Sequence, residues 1–271
     1  MTRIKPAKGW AAINLSELWE YRDLLYFLTW RDVKVRYKQT AIGVAWVLLQ
    51  PLALMGIFTL FFGRLAKIPS DGIPYPVFAL AGVLPWQLFS RTITDSTDSL
   101  ITDQRLITKV YFPRLFVPTA SSLAALIDFG ISMVLLFLFM FFMRTRLEAT
   151  ILWLPVFVML MVITALGVGY WLAALNVEYR DVMYTVPFLN QVWMFITPVV
   201  YPSSLVPARW RLVYGLNPMV SVVEGFRWCL FGVGSGPSPM LFFSAAISLA
   251  LFASGILWFR NRERTFVDSL G

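Results

Sequence analysis

Charges set in apolar sequence are the residues here best placed to do chemistry. Arg91, Asp95 and Asp128 stand inside or beside long uncharged stretches, and Glu224 and Arg227 lie three apart in another. Ionisable groups at such positions are expensive unless they pair or face water. Asp128 with Arg91 would make a structural ion pair; a proton relay is the other reading. Glu224 and Arg227 have the spacing to pair on one helix. Two polar stripes accompany these charges. Gln87, Ser90, Arg91, Thr94 and Asp98 share one helical face, and Asn190, Trp193, Thr197 and Tyr201 share another. Such faces either line a watery path or bind helices together by hydrogen bonds, and spacing alone leaves both open.

Other chemistry is excluded by composition. The chain has no His and a single Cys, Cys229, which leaves no material for a transition-metal site, a disulfide or a Cys/His catalytic pair within it. No G-x-x-x-x-G-K-[ST] occurs, and no Gly-Lys dipeptide, so the sequence has no P-loop for ATP phosphates. Transport by such a chain is passive, ion-driven, or powered by hydrolysis in a separate subunit.

The elements that must carry these residues are membrane spans. Hydrophobic residues make up 58% of the chain and charged residues only 14%, well below the soluble average. Ala41–Phe62 carries no charge and is long enough to cross a hydrocarbon core of about 30 Å. Five further spans are expected at about 75–95, 115–143, 150–177, 183–201 and 240–259. The fold class is therefore all-α and integral to the membrane, with the six-span body over 39–265. Short tails remain at 1–13 and 266–271. Before the first span, residues 14–38 read as an amphipathic helix lying on the membrane. Asn14 or Ser16 can cap it. Tyr21, Leu24, Leu25 and Leu28 give its apolar stripe, and Arg31, Lys34, Arg36 and Lys38 load its end. Residues 207–233 are apolar enough to suggest a seventh span, but Asn217-Pro218 interrupts them and Glu224 and Arg227 sit within. They read instead as two short re-entrant helices before the last span.

Charge orients the chain. With six spans both termini lie in the cytoplasm, and Lys and Arg favour the inner side about two to one. The net charge of +8 is thereby explained by topology rather than by a nucleic-acid surface, because the basic residues sit at span ends. The opening residues show no cleavable signal sequence, which keeps the N-terminus inside. Residues 102–112 (T-D-Q-R-L-I-T-K-V-Y-F) join the second and third spans on this side. They form either a short helix that transmits motion from a cytoplasmic partner or a solvated turn ended by Pro113. In the spans, polar groups alternate with aromatic rings, whose faces suit sugar rings.

Two blocks carry a resemblance. Residues 24–51 (LLYFLTWRDVKVRYKQTAIGVAWVLLQP) and 197–227 (TPVVYPSSLVPARWRLVYGLNPMVSVVEGFR) strongly resemble the permease subunit of bacterial ATP-binding cassette exporters for polysaccharides. That group includes the O-antigen, capsule and teichoic acid permeases. The similarity covers roughly residues 15–265. It implies six spans per subunit, a homodimer in the bacterial inner membrane, and two copies of a cytoplasmic ATPase that hold the ATP and Mg. The chain itself is then not an enzyme and carries no cofactor. The resemblance places ATPase docking at Arg31, Asp32, Lys34, Arg36 and Tyr37, and on a coupling helix around Asp103, Arg105, Lys109 and Tyr111. The Y-R-D element at Tyr179, Arg180 and Asp181 adds to the docking surface. Asn217, Pro218, Glu224 and Arg227 mark the re-entrant exit.

The cargo implied is a polyprenyl-pyrophosphate-linked glycan, moved within the lipid bilayer with its sugars stacking along the channel. Trp46, Trp86, Gln87, Asn190, Trp193, Thr197 and Tyr201 are the candidates for that channel, and Arg31, Arg36 and Lys38 for the pyrophosphate entry. The alternatives are a permease of the same architecture for a non-glycan lipid or drug, a membrane-embedded glycosyl- or acyltransferase, and a passive channel or scaffold. A transferase would need a partnered base or nucleophile, which this sequence hardly supplies.

Overall fold

A computed structural model describes residues 19–38, 43–233, 236 and 239–266. These residues form helices and turns, with no strand among them. The expected caps at Asn14 and Ser16, and nearly all of both tails, lie outside the described residues. Helix α1 spans Arg22–Lys38, with Asp23 in its first turn and Arg36 and Lys38 in its last. That charge order complements the helix dipole. Its stripe does not face outward. Leu28 is buried against Ile107, Phe112 and Phe116, and Tyr21, Leu24 and Leu25 pack around it. The opposite face leaves Trp19, Tyr26, Phe27 and Trp30 exposed.

Helix α2 (Val44–Phe58) starts at Gly43, whose φ of 52° suits a residue without Cβ. It continues through Pro51 and widens into a π-helical segment, Thr59–Leu65. A tight turn follows in which Lys67, Asp71 and Gly72 all take positive φ. Helix α3 (Tyr75–Thr102) opens with Pro76 in its first turn and runs 28 residues, about 42 Å, through Pro85. It is the centre of the bundle, buried from Val77 to Trp86 without a break. A six-residue helix α4 (Gln104–Lys109) is the helical part of the expected coupling segment.

Helices α5 (Phe116–Phe142) and α6 (Leu154–Glu178, after a 3-10 turn at Ala149–Trp153) form an antiparallel pair. Helix α7 (Val182–Ile196) ends where Thr197 turns extended, short of the expected Tyr201. Pro198 follows, and the residue before a proline is pushed out of the helical region. The first of the two expected re-entrant helices is reduced to a 3-10 turn at Ala208–Trp210 and a single turn at Arg211–Tyr214. Helix α8 (Pro218–Phe231) has Asn217 as N-cap, Pro218 at its start and Gly232 in the left-handed region at its end. At 14 residues, about 21 Å, it falls short of a span. Helix α9 (Pro239–Arg262) closes the bundle and ends in a 3-10 turn, Glu263–Thr265.

Among the described residues four segments are both long and apolar enough to cross a membrane: Ala45–Leu65, Phe116–Phe142, Ala149–Glu178 and Met240–Arg262. Helix α7 is apolar but shorter. Helix α3 is long, but its second half carries Arg91, Asp95 and Asp98. The helices are joined through small and hydroxyl residues, as expected where lipid removes the hydrophobic drive between them. A Cβ on Gly255 would lie 2.4 Å from the Gly167 carbonyl, so α6 and α9 touch there through backbone. Thr164 donates to Ser248 at 2.7 Å, and Ser221 and Ser244 share a hydrogen bond of the same length.

Candidate functional site: a groove closed by an ion-pair network

The polar face of α3 turns toward α2 and α5, where a groove of about 490 Å³ opens. Trp46, Gln50, Gln87, Arg91, Asp95 and Asp128 line it. Trp46 stands 62% exposed at its edge and offers a free ring face. Trp86 is only 5% exposed, packed on Phe89 with centroids 5.3 Å apart, and forms wall rather than platform. The amide nitrogen of Gln87 is buried without a hydrogen-bond partner. Ser90, Thr94 and Ser132 add hydroxyls to the wall, and Leu54, Leu84, Leu88 and Phe129 are among its apolar residues.

One end of the groove is closed by charge. Arg91 Nη1 lies 3.1 Å from Asp128 Oδ2, the pairing that sequence anticipated, and its Nε lies 3.5 Å from Asp95 one turn on. The structure adds a second arginine. Arg36 at the end of α1 donates to Asp95 Oδ2 at 2.8 Å and also to Asp128. Tyr37 donates its hydroxyl to the other oxygen of Asp128. Two guanidinium groups thus face two carboxylates, a balance that matters because the Asp128 side chain is only 7% exposed and a lone buried charge is strongly destabilising. Burial, reinforced by the bond to Asp128, pushes the Tyr37 phenol up to about 12, which keeps it a donor.

The resemblance assigns Arg36 and Tyr37 to a docking partner, and Arg36 also to an incoming pyrophosphate; in the structure both bond within the chain. A signal existed. Two carboxylates and one arginine in the spans left one negative charge without a counter-ion, and the missing cation had to come from elsewhere.

The residues that the resemblance assigns to docking divide in two. Arg31 bonds Asp103 at 2.5 Å and Asp32 at 2.8 Å, which ties α1 to the residue preceding α4. Burial raises the Asp32 carboxyl, an effect that Arg31 opposes. The other set is exposed: Lys34, Lys38, Arg105, Lys109, Tyr111, Tyr179, Arg180 and Asp181. Lys34 lies over the Trp30 ring at 5.7 Å. The turn that presents Tyr179–Asp181 is fixed by buried Asn176, which donates to the Thr97 carbonyl at 2.9 Å and accepts from the Met183 amide at 3.2 Å.

The stripe on α7 is drawn into helix contacts rather than into the groove. Asn190, 5% exposed, donates to the Ser90 carbonyl and to Thr94 Oγ1, both at 3.2 Å. Trp193 donates to Asn217 Oδ1 at 3.0 Å, and Asn217 Nδ2 donates to Thr197 Oγ1, also at 3.0 Å. Tyr201 donates to the Phe195 carbonyl at 3.0 Å and accepts from Tyr214 at 3.1 Å. Next to them lies Arg227, 6% exposed. It donates to the carbonyls of Pro198 and Val199 at 2.7 Å each and of Tyr201 at 3.3 Å. Its guanidinium sits 3.6 Å from the centroid of Phe78, and a Cβ on Gly82 would fall 2.3 Å from the Val199 carbonyl oxygen. Glu224 is half-buried one turn earlier on α8.

The described residues thus form a helical bundle with long apolar spans, an exposed basic and aromatic edge and a polar groove. Residues 23–231 match the ABC-2 type transporter family, and the chain belongs to it. It is a permease subunit, the ATPase being a separate subunit. It is 32% identical over 259 residues to the O-antigen export system permease protein RfbA of Myxococcus xanthus, a match covering 94% of this chain and 98% of the relative. A protein of the same name from Klebsiella pneumoniae is 30% identical over 208 residues, 76% of this chain and 79% of the relative. The polysialic acid transport protein KpsM of Escherichia coli is 24% identical over 242 residues, covering 88% and 93%.

Proposed function

We propose that this chain is the permease of a polysaccharide exporter, moving a lipid-linked glycan of O-antigen type across the bacterial inner membrane. The observation that carries this is similarity over 98% of the length of an O-antigen export permease. The reading takes α2, α3, α5, α6, α7 and α9 as six spans, with both termini in the cytoplasm and α8 re-entrant. Helix α7 is long enough only with residues 197–201 added, and the polar half of α3 is covered by α1, α5 and α6.

Two copies of the chain and two ATPase subunits form the working unit, with ATP and Mg bound by the ATPase. The exposed residues Lys34, Arg105, Lys109, Tyr111, Tyr179, Arg180 and Asp181 receive it. Trp46 stacks on sugars at the groove edge. Lys38, free of the network, attracts the pyrophosphate of the polyprenyl carrier. Deleting the gene in its host and following lipid-linked glycan tests the reading. Glycan retained on the inner face and restored to the surface by the wild-type gene supports it; unchanged surface glycan overturns it.

A further inference from the structure

Helix α1 is tied to the rest of the chain at two points. Arg31 bonds Asp103, beside the coupling helix, and five residues on, Arg36 and Tyr37 reach Asp128 and Asp95 in the groove wall. Five helical residues are about 7.5 Å of rise, and α1 is packed here, with Val33 buried between the ties and Leu28 buried one turn before them. A displacement of α4 is therefore passed to Arg36 by a stiff body. Asp128 is where it arrives. That one carboxylate on α5 holds Arg36, Tyr37 and, from α3, Arg91. Arg91, Asp95 and Asp128 all line the groove, so rearranging their bonds changes its width.

We propose that Asp128 is a positioning residue that transmits movement of α1 to the groove, and that the Arg36–Asp128 bond breaks and reforms in each transport cycle. The inference rests on the exporter reading for the source of that movement.

Charge balance supplies the experiment. Removing Arg36 alone leaves two carboxylates against one guanidinium, and removing Asp128 alone leaves the reverse. Removing both leaves Arg91 and Asp95, one turn apart on α3 and mutually paired. The Arg36→Gln, Asp128→Asn double variant thus keeps the network neutral. It is purified with its ATPase and reconstituted in vesicles beside the wild-type complex. We expect normal assembly and retained ATP hydrolysis, with export per ATP lowered about tenfold, within the range that residues coupling two sites carry. Arg36→Lys, which keeps one charged bond, restores part of that export. Wild-type export by the double variant overturns the inference, as does loss of assembly in proportion to export, which marks a merely structural tie. Absence of ATP-dependent export from the wild-type complex refutes the exporter reading itself.

Discussion

Trp193 Nε1 donates to Asn217 Oδ1 at 3.0 Å, so the indole of α7 is bonded to the residue that caps α8. The same ring meets Phe89 edge-on, with centroids 5.0 Å apart. Its orientation is set by the chain. Trp193→Phe keeps the ring and removes one hydrogen bond, at about 1 kcal/mol. Asn217→Ala removes the cap to the Met219 amide, leaves the Trp193 indole N–H without its acceptor and takes one donor from Thr197, which keeps its bond to the Trp193 carbonyl, at about 2–3 kcal/mol. Thermal unfolding in detergent should rank them in that order, with export per folded molecule little changed in Trp193→Phe.

Trp46 predicts the opposite separation. Its ring is mostly exposed at the groove, so Trp46→Ala should alter stability by no more than about 0.5 kcal/mol. Export should nevertheless fall severalfold, in line with a stacking contact of about 0.5–1.5 kcal/mol. A variant that exports normally removes Trp46 from the glycan path.

Arg227 and Gly82 should behave as one unit. Arg227→Lys cannot reproduce a fork that spans two adjacent carbonyls while lying flat on Phe78. It should cost about 3 kcal/mol or more. Gly82→Ala pushes a methyl to 2.3 Å from the Val199 carbonyl oxygen and 2.8 Å from Arg227 Nη2, and should produce a comparable loss with the arginine itself kept. Tm shifts measured for the two singles and the double should be clearly less than additive, since both release the same segment.

The exposed edge should be tolerant in folding and intolerant in assembly. Lys109→Glu, Tyr111→Ala and Arg180→Glu alter side chains that lie in solvent. Each should move stability by less than about 0.5 kcal/mol. Co-purification with the ATPase should drop in all three; full recovery in all three would place docking elsewhere.

Tyr37 gives a pH signature. Its phenol is pushed up to about 12 from the ordinary value of 10.0, burial being the main cause, so the folded protein holds the proton more tightly than the unfolded chain. The stability from this group is complete below pH 10 and is lost as pH rises through 10 toward 12. Tyr37→Phe should abolish that alkaline loss, read by tyrosinate absorbance and by unfolding at increasing pH.

Much of the bundle was legible because apolar length is a strong signal. The α5, α6 and α9 segments agree with their expected bounds to within a few residues at each end. Thr197-Pro198 ended α7 early, a local effect that hydropathy smooths over. The groove wall was half legible. Spacing puts Gln87, Ser90, Arg91, Thr94 and Asp98 on one face, of which all but Asp98 line the groove, where Asp95 stands as well, and Asp128 calls for Arg91. That Arg36 and Tyr37 complete the network was not legible, since both lie outside the spans and more than ninety positions from Asp128 along the sequence. The α7 stripe was ambiguous by nature: a hydrogen-bonding side chain has the same spacing whether it meets water or another helix. Its partners at Ser90, Thr94 and Asn217 decide which.

Arg227 also fixes an order of events during synthesis. Its carbonyl partners at 198–201 and its ring partner Phe78 are made first, and the guanidinium that gathers them arrives only at position 227. Unpaired, that charge cannot be stored in an apolar layer. The contact among α3, residues 198–201 and α8 therefore takes shape only after residue 227 has been made.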